Sequence, residues 1–190
     1  MYAIDNTFGL KVYAQEMIAL HSVDEAQTLL PKLKGKKYFI VGGGSNLLFT
    51  SGVYDGVIVH LDGPDNIDNI ENIDILEGPN NEVTVRVPGY IVWDDFVAWC
   101  CNKGYWGAEN LSYIPGEVGA SAVQNIGAYG VEVKDIISRI FAVEVETGAL
   151  REFTNAECKY GYRESIFKTE LWQQYLVYAV EFRLSRVATP

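Results

Sequence analysis

The sequence has few of the residues that build metal centres and disulfide frameworks. It contains two histidines, His21 and His60, and three cysteines, Cys100, Cys101 and Cys158. Their spacing matches no zinc site. An odd number of cysteines, two of them adjacent, is also a poor basis for an ordinary set of disulfides. We therefore predict a chain with no metal site and no disulfide framework.

Long apolar runs are lacking as well. No segment approaches the about 20 consecutive apolar residues that span a bilayer. The first ten residues show neither the charge pattern nor the cleavage site of a secretory signal. We expect a cytoplasmic protein without a membrane partner.

Basic residues are scarce, with 15 Lys and Arg against 25 Asp and Glu, which gives a formal net charge of −10. A surface this acidic repels phosphate backbones, so nucleic acid is not expected as a partner. An anionic cofactor is still compatible with this charge, because backbone N–H groups and single arginines act locally.

The residues that are abundant predict a globular α+β protein. Hydrophobic residues make up 48% of the 190 residues, which is enough for one large domain or two small ones. A capping box, Ser22 to Glu25, starts one helix that ends at Gly35. A second helix carries Val92, Phe96, Val97 and Cys100 on one face and ends at Gly104, and we expect both Cys100 and Cys101 to be buried.

Short strands and hairpins fill most of the remaining chain. A buried strand covers 38–41, another covers 57–59, and a last one covers 176–184. Hairpins are predicted for 73–87 and 140–153 because turn residues separate their apolar segments. With at most one βαβ unit, this order favours α+β over a doubly wound sheet. A Gly-, Pro-, Asp- and Asn-rich stretch at 63–72 places a boundary between lobes 1–65 and 66–190.

Three segments carry residues suited to binding. Gly42, Gly43, Gly44, Ser45 and Asn46 follow a strand directly, and their N–H groups could form a phosphate nest or a tight turn. They do not form a P-loop, because no Gly-Lys-Ser/Thr follows.

The second binding segment comprises Ile114–Ser121 and Gln124–Gly130, within a stretch 107–130 that is rich in glycine and has little periodicity. It suits hydrogen bonding to a flat heteroaromatic edge, or it is an irregular loop packed on its own side chains. In the third segment, Arg163 could grip a carboxylate with two hydrogen bonds, or it stacks on Tyr162 and pairs with Glu164.

These segments occur in an order that resembles the UDP-N-acetylenolpyruvoylglucosamine reductase family, also called UDP-N-acetylmuramate dehydrogenases. The resemblance covers nearly the whole chain. The motifs that carry it are Asn6–Gly9, Gly42–Asn46, Gly107–Leu111, Ile114–Gly116, Gln124–Gly130 and Gly161–Lys168.

The resemblance implies a two-lobed α+β FAD-binding module of the vanillyl-alcohol-oxidase (PCMH) type. It also implies NADPH as hydride donor, and the enolpyruvyl ether of a UDP-sugar as substrate in peptidoglycan synthesis. Arg163 would then be catalytic, binding the enolpyruvyl carboxylate. The implied cofactor-binding residues are Gly42, Gly43, Gly44, Ser45, Asn46, Ile114, Pro115, Gly116, Gly119, Ser121, Asn125, Gly127, Ala128 and Tyr162.

Family members continue into a third domain, which supplies a proton-donating serine, a glutamate and contacts to the UDP-sugar. No residue of this sequence matches those roles. We therefore expect the flavin-binding part of such an enzyme, without complete activity alone. A different flavoenzyme of the same fold and a non-catalytic nucleotide-binding protein are the alternatives. The sequence leaves the oligomeric state open.

Overall fold

A computed structural model of the chain describes residues 1–63 and 73–188. The proposed lobe boundary at 65/66, and nearly all of the linker predicted at 63–72, lie outside the described residues. We call residues 1–63 the small lobe and residues 73–188 the large lobe. In neither lobe is there a helix with the length and apolar character needed to cross a membrane.

The small lobe is a four-stranded sheet with one helix, α1 (Val23–Leu29). Its strands are β1 (Tyr2–Ala3), β2 (Tyr13–Leu20), β3 (Tyr38–Ile40) and β4 (Val53–Leu61), in the spatial order β1-β2-β4-β3. Strands β2 and β3 both pair with β4 in parallel, so the loops after these three strands leave the sheet at one edge.

The large lobe is built on a five-stranded antiparallel sheet. Its strands are β5 (Asp74–Glu77), β6 (Glu82–Pro88), β9 (Ile137–Glu144), β10 (Leu150–Thr154) and β11 (Tyr175–Ser185). They lie in the spatial order β10-β9-β11-β6-β5. A small hairpin joins β7 (Gly127–Ala128) to β8 (Val131–Glu132). The helices are α2 (Trp93–Lys103) and α3 (Val118–Gln124).

The side chains of β4 point alternately to the two faces of the sheet, and this alternation explains how the lobes pack together. Val57, Val59 and Leu61 share one face and pack with α1. Val143 and Leu176 of the large lobe complete this cluster, whereas Ile58 points to a separate cluster on the opposite face. A strand with two apolar faces buries both, so β4 belongs to the small-lobe core and to the contact between lobes.

The core of the large lobe lies between its sheet and its two longer helices. Trp93 and Phe96 of α2 are fully buried against Phe182 of β11, with ring centroids 4.9 to 5.8 Å apart. Helix α2 ends at Gly104, whose φ of +69° gives the left-handed cap that the sequence predicted. The two predicted hairpins and the last strand are also present.

Several predictions need correction. Helix α3 and the short strand β7 lie in the segment 107–130 that was expected to be irregular. Seven residues rich in Gly and Ala give little periodic signal, and burial of Val118 and Ala122 stabilises this helix instead. Strand β2 was not predicted, because a register irregularity between Ala14 and Glu16 breaks its alternation.

Two local predictions at helices also differ. Glu25 N–H donates to Ser22 Oγ as expected, but the Glu25 carboxylate accepts from the N–H of His21 instead of Ser22. Cys100 is buried as predicted, whereas Cys101 lies on the outer face of α2 and is exposed. Successive residues of an α-helix are rotated by about 100° around its axis, which is enough to move a side chain from the core to the surface.

Candidate functional site

The glycine loop, which we define as Gly42–Asn46, follows β3 at the edge where the parallel strands end. Gly44 has a φ of +66°, and a Cβ there would lie 2.2 Å from the carbonyl oxygen of Asp5. No N–H group of the loop donates a hydrogen bond to any residue in 1–63 or 73–188. Successive free N–H groups beside a cavity are suited to binding an anion.

The glycine loop faces a cleft between the lobes with a volume of about 260 Å³. One wall comes from the small lobe, at 39–47 and Leu61. The other wall comes from the large lobe, at Gly89, α3 and the segment 167–177. All five predicted residues of the loop, and Gly119 of α3, line this cleft.

A second cleft of about 220 Å³ lies on the other side of α3. The predicted residues that line it are Ser45, Asn46, Ile114, Pro115, Gly116, Ser121 and Arg163. The two clefts share five lining residues and therefore form one groove across α3: Ser45, Asn46, Glu117, Ala120 and Gln124. The structure thus brings segments that are 70 or more residues apart to a single site.

Ser45 fixes the glycine loop to the large lobe. Its hydroxyl donates a hydrogen bond of 3.1 Å to the carbonyl oxygen of Pro115. Gly116, with a φ of +126°, approaches so closely that a Cβ would lie 3.0 Å from Ser45 Oγ. The carbonyl of Gly116 in turn accepts from the N–H of Trp93, which anchors the segment to the core.

Arg163 reaches the groove from a tight turn of the large lobe. Its φ is +54°, and its Nη2 donates to the carbonyl oxygen of Gly127 at 2.8 Å. Lys168 Nζ donates to the carbonyl of Arg163 at 2.8 Å and steadies this uncommon backbone conformation. The hydrogen bond to Gly127 therefore orients the guanidinium. The alternative ion pair between Arg163 and Glu164 is not formed.

Four predicted site residues do not line the groove. Asn125 is fully buried, and its amide donates to Glu132 and to the carbonyl of Gly161 while its oxygen accepts from the N–H of Lys134. Gly127 and Ala128 form β7 behind Arg163. Tyr162 is 86% exposed beside Arg163. These residues surround the Arg163 turn, and their assignment to the cofactor stays a prediction.

Sequence reasoning missed part of the wall. Trp172, Gln173 and Leu176 line the first cleft and were not expected there, whereas Gln124 and Ile126, which line the second cleft, belong to the predicted binding segment Gln124–Gly130. The segment 172–176 precedes and enters a strand, and its sequence carries no binding pattern. Only the tertiary fold brings it opposite the glycine loop.

Glu117 lies in the predicted binding segment Ile114–Ser121 but was not named as a site residue, although it is the single acidic residue in the stretch 110–131. It lines both clefts. Burial raises the pKa of its carboxyl to about 8, and the charge of Asp62 raises it further in the same direction. An isolated carboxylate in a glycine-rich, otherwise uncharged segment is a signal that could have singled it out.

The described residues hold no group of three or more His, Cys, Asp or Glu placed to bind a metal ion. The groove instead offers backbone N–H groups, amide and hydroxyl side chains, and one guanidinium. This set of donors suits an extended anionic ligand with a polar aromatic end.

The family model described as "FAD binding domain" matches residues 14–154, which include the glycine loop and α3. The chain belongs to this FAD-binding domain family. The donor set and the glycine positions fit the diphosphate and ring of such a cofactor, so the residues present are compatible with the family.

Curated relatives narrow the family further. This FAD-binding domain is 42% identical over 181 residues to the UDP-N-acetylenolpyruvoylglucosamine reductase of Flavobacterium johnsoniae, covering 95% of the chain and 51% of the relative. It is 45% identical to that of Bacteroides fragilis, covering 95% and 52%. The resemblance stated from the motifs is therefore confirmed, and the chain spans about half the length of the curated relatives it matches.

Solved structures confirm the predicted fold. The reductase of the same name from Thermus caldophilus superposes with a TM-score of 0.67 at 20% identity, covering 89% of this chain and 55% of that one. A solvent-stable cholesterol oxidase gives a TM-score of 0.68 at 14% identity, with 97% and 37% covered. At such identities the FAD-binding domain shares with them its two-lobed α+β fold, the PCMH type.

Proposed function

We propose that this chain binds FAD in the groove across α3. It acts as the flavin-binding part of an NADPH-dependent reductase that converts UDP-N-acetylenolpyruvoylglucosamine to UDP-N-acetylmuramate. The observation that carries the proposal is the groove itself. It joins a loop of free N–H groups from one lobe to a fixed guanidinium from the other, in a chain similar to proteins that bear this name.

The glycine loop is the part suited to the diphosphate. Free N–H groups in succession bind phosphate oxygens, and the absent side chains at Gly42 to Gly44 let the ligand approach the backbone. The second cleft, with Ile114, Ser121 and Gln124, has the apolar walls and polar edges that suit the flavin ring.

When bound, FAD would supply the hydride transfer from NADPH to the enolpyruvyl double bond. The residues of this chain bind and orient. Arg163 presents a planar, always charged guanidinium suited to the enolpyruvyl carboxylate. As the hydride arrives, negative charge grows toward that carboxylate, and a cation already fixed by Gly127 stabilises it without reorganisation.

An FAD titration of the purified chain tests the first half of the proposal. We expect saturable, one-to-one binding that changes the visible absorbance and fluorescence of the flavin. If the denatured complex releases intact FAD, the bound flavin is FAD and not FMN. If the folded chain does not bind FAD at any concentration tested, the proposed function is wrong.

The second half concerns the substrate, and it needs protein of the length that the relatives have. Reduction of the bound flavin by NADPH, followed by reoxidation with UDP-N-acetylenolpyruvoylglucosamine, is the expected result. Reduction of the bound flavin by an alcohol or sterol-type substrate, with no reoxidation of the reduced flavin by the UDP-sugar, would assign the chain to another flavoenzyme of this fold.

A further inference from the structure

Glu117 lies between the glycine loop and the second cleft. It is the residue before α3, and it lines both parts of the groove. Its Oε2 and Oε1 lie 3.0 and 3.3 Å from the positions that a Cβ would take on Gly42 and Gly43. The carboxyl group therefore lies directly against the backbone proposed to hold the diphosphate.

This carboxyl group has no partner within residues 1–63 and 73–188. No hydrogen bond or ion pair joins it to another side chain or to the backbone there. The Ser45 hydroxyl, which is nearby, donates to Pro115 instead. A half-buried carboxyl group without a partner retains its full capacity to bond a ligand.

The charged groups around the groove do not offset a negative charge on Glu117. The negative charge of Asp62, which follows β4, disfavours the ionised form of Glu117. Lys168 and Arg163 line the groove, but Lys168 donates to the Arg163 carbonyl and Arg163 donates to Gly127. His60, in β4, has its Nδ1 3.0 Å from the carbonyl oxygen of Val41.

Tyr175 lines the first cleft, but its hydroxyl donates to Glu144, outside the groove. Burial of its carboxyl group and the negative charge of Asp62 together raise the pKa of Glu117 to about 8. The uncharged acid is accordingly the main form at neutral pH.

A diphosphate cannot share this space with an ionised carboxylate at low cost. Two anions in contact in a half-buried groove repel each other strongly, because little water screens them. A neutral carboxylic acid has the opposite effect, since its O–H donates a short, charge-assisted hydrogen bond to a phosphate oxygen.

We propose that Glu117 binds the anionic part of the dinucleotide as an uncharged acid that donates a hydrogen bond, so that cofactor binding requires this proton. The inference rests on the proposed function, because it assumes that FAD is the ligand. It adds a contact residue and a pH dependence that the FAD-binding fold does not itself require.

The test measures FAD affinity from about pH 6 to about pH 9.5, for the wild-type chain and for Glu117→Gln. Each pH unit above the free pKa should weaken wild-type binding by up to about tenfold, since only the protonated fraction binds. The neutral amide of the variant keeps a donor and cannot ionise. Its affinity should match the wild type at low pH and stay flat as the pH rises.

Two controls keep the result specific. Glu82→Gln removes an exposed carboxylate on β6, outside the groove, and should keep the wild-type pH profile. Calorimetry of wild-type binding near pH 9, in two buffers of different ionisation enthalpy, should show uptake of about one proton. The Glu117→Gln variant should show none.

The outcomes separate this inference from the function on which it rests. If wild-type FAD affinity is constant over the range, or if Glu117→Gln keeps the wild-type profile, the role of Glu117 is wrong while FAD binding stands. If neither protein binds FAD at any pH, both the inference and the proposed function fail.

Discussion

Gln173 accepts a hydrogen bond from the backbone N–H of Ile40 through its side-chain oxygen, at 2.6 Å. The bond joins the large lobe to β3, immediately before the glycine loop. The hydroxyl of Tyr38 adds a second bond to the carbonyl of Gln173, at 2.8 Å. Gln173, with a φ of +58°, therefore helps to set how far apart the two walls of the groove stand.

Replacing Gln173 should loosen this contact. Gln173→Ala leaves the Ile40 N–H unpaired, and we expect a loss of about 1–3 kcal/mol in urea unfolding together with weaker FAD binding. Gln173→Glu keeps an acceptor oxygen and should recover most of both. The side chain of the neighbour Gln174 bonds only the nearby carbonyl of Glu170, so Gln174→Ala should have little effect. Equal losses for the two alanine variants would contradict the bridging role.

Gly44 is expected to be irreplaceable in the glycine loop. A methyl group there would meet the Asp5 carbonyl at 2.2 Å, so Gly44→Ala must shift the loop. FAD affinity should fall by about tenfold or more, which corresponds to about 1.4 kcal/mol. Gly9 provides a matched control, because its φ of +64° is nearly the same and no atom lies within 4 Å.

Gly9→Ala should therefore cost only the backbone strain, about 1 kcal/mol of stability, and leave FAD affinity unchanged. Titration and urea unfolding of both variants separate the two effects. Unchanged FAD affinity in folded Gly44→Ala would remove this loop from the site.

Arg163 should matter for one half-reaction and not for the other. In protein of the relatives' length, Arg163→Ala should slow reoxidation of the flavin by the enolpyruvyl substrate by about 10²-fold or more. Reduction of the flavin by NADPH should change little. Arg163→Lys keeps the charge but loses the planar fork, and should give an intermediate rate.

Arg183 is exposed on β11, and Arg183→Ala is the control that should leave both half-reactions unchanged. Stopped-flow absorbance follows each half-reaction separately. A similar loss in both for Arg163→Ala would argue against the assigned role.

We expect Asn125 to affect the site by stabilising the fold around it. Its buried amide bonds the Gly161 carbonyl at 2.7 Å and thereby holds the turn that carries Arg163. Asn125→Ala leaves that carbonyl and the Lys134 N–H without a partner, and should destabilise the chain by about 2–3 kcal/mol. Asn110→Ala, at an exposed position, should have almost no effect.

Asn125→Asp gives a sharper test. The introduced carboxylate would face the Gly161 carbonyl and Glu132, so burial would raise its pKa above that in the unfolded chain. The variant should regain stability as the pH falls and lose it as the pH rises through that raised pKa. Thermal melting from acidic to neutral pH measures this, and a pH-independent loss would show that charge is not the cause.

The elements with strong local signals could be predicted from the sequence. The end of α2 follows from Gly104, and the hairpin of β9 and β10 follows from two apolar segments around Thr147-Gly148. The glycine loop and the Arg163 motif were singled out as binding segments for similar reasons, since their residue types have few other uses in such a pattern.

Only the tertiary structure decided what those segments form together. Helix α3 depends on the burial of Val118 and Ala122, and β2 depends on pairing with β4, so neither had a periodic signal of its own. The places of Glu117 and Gln173 in the groove depend on contacts between residues 70 or more positions apart. Local sequence fixes backbone preferences over a few residues, whereas the groove exists because two apolar sheet faces must bury each other and so bring its walls together.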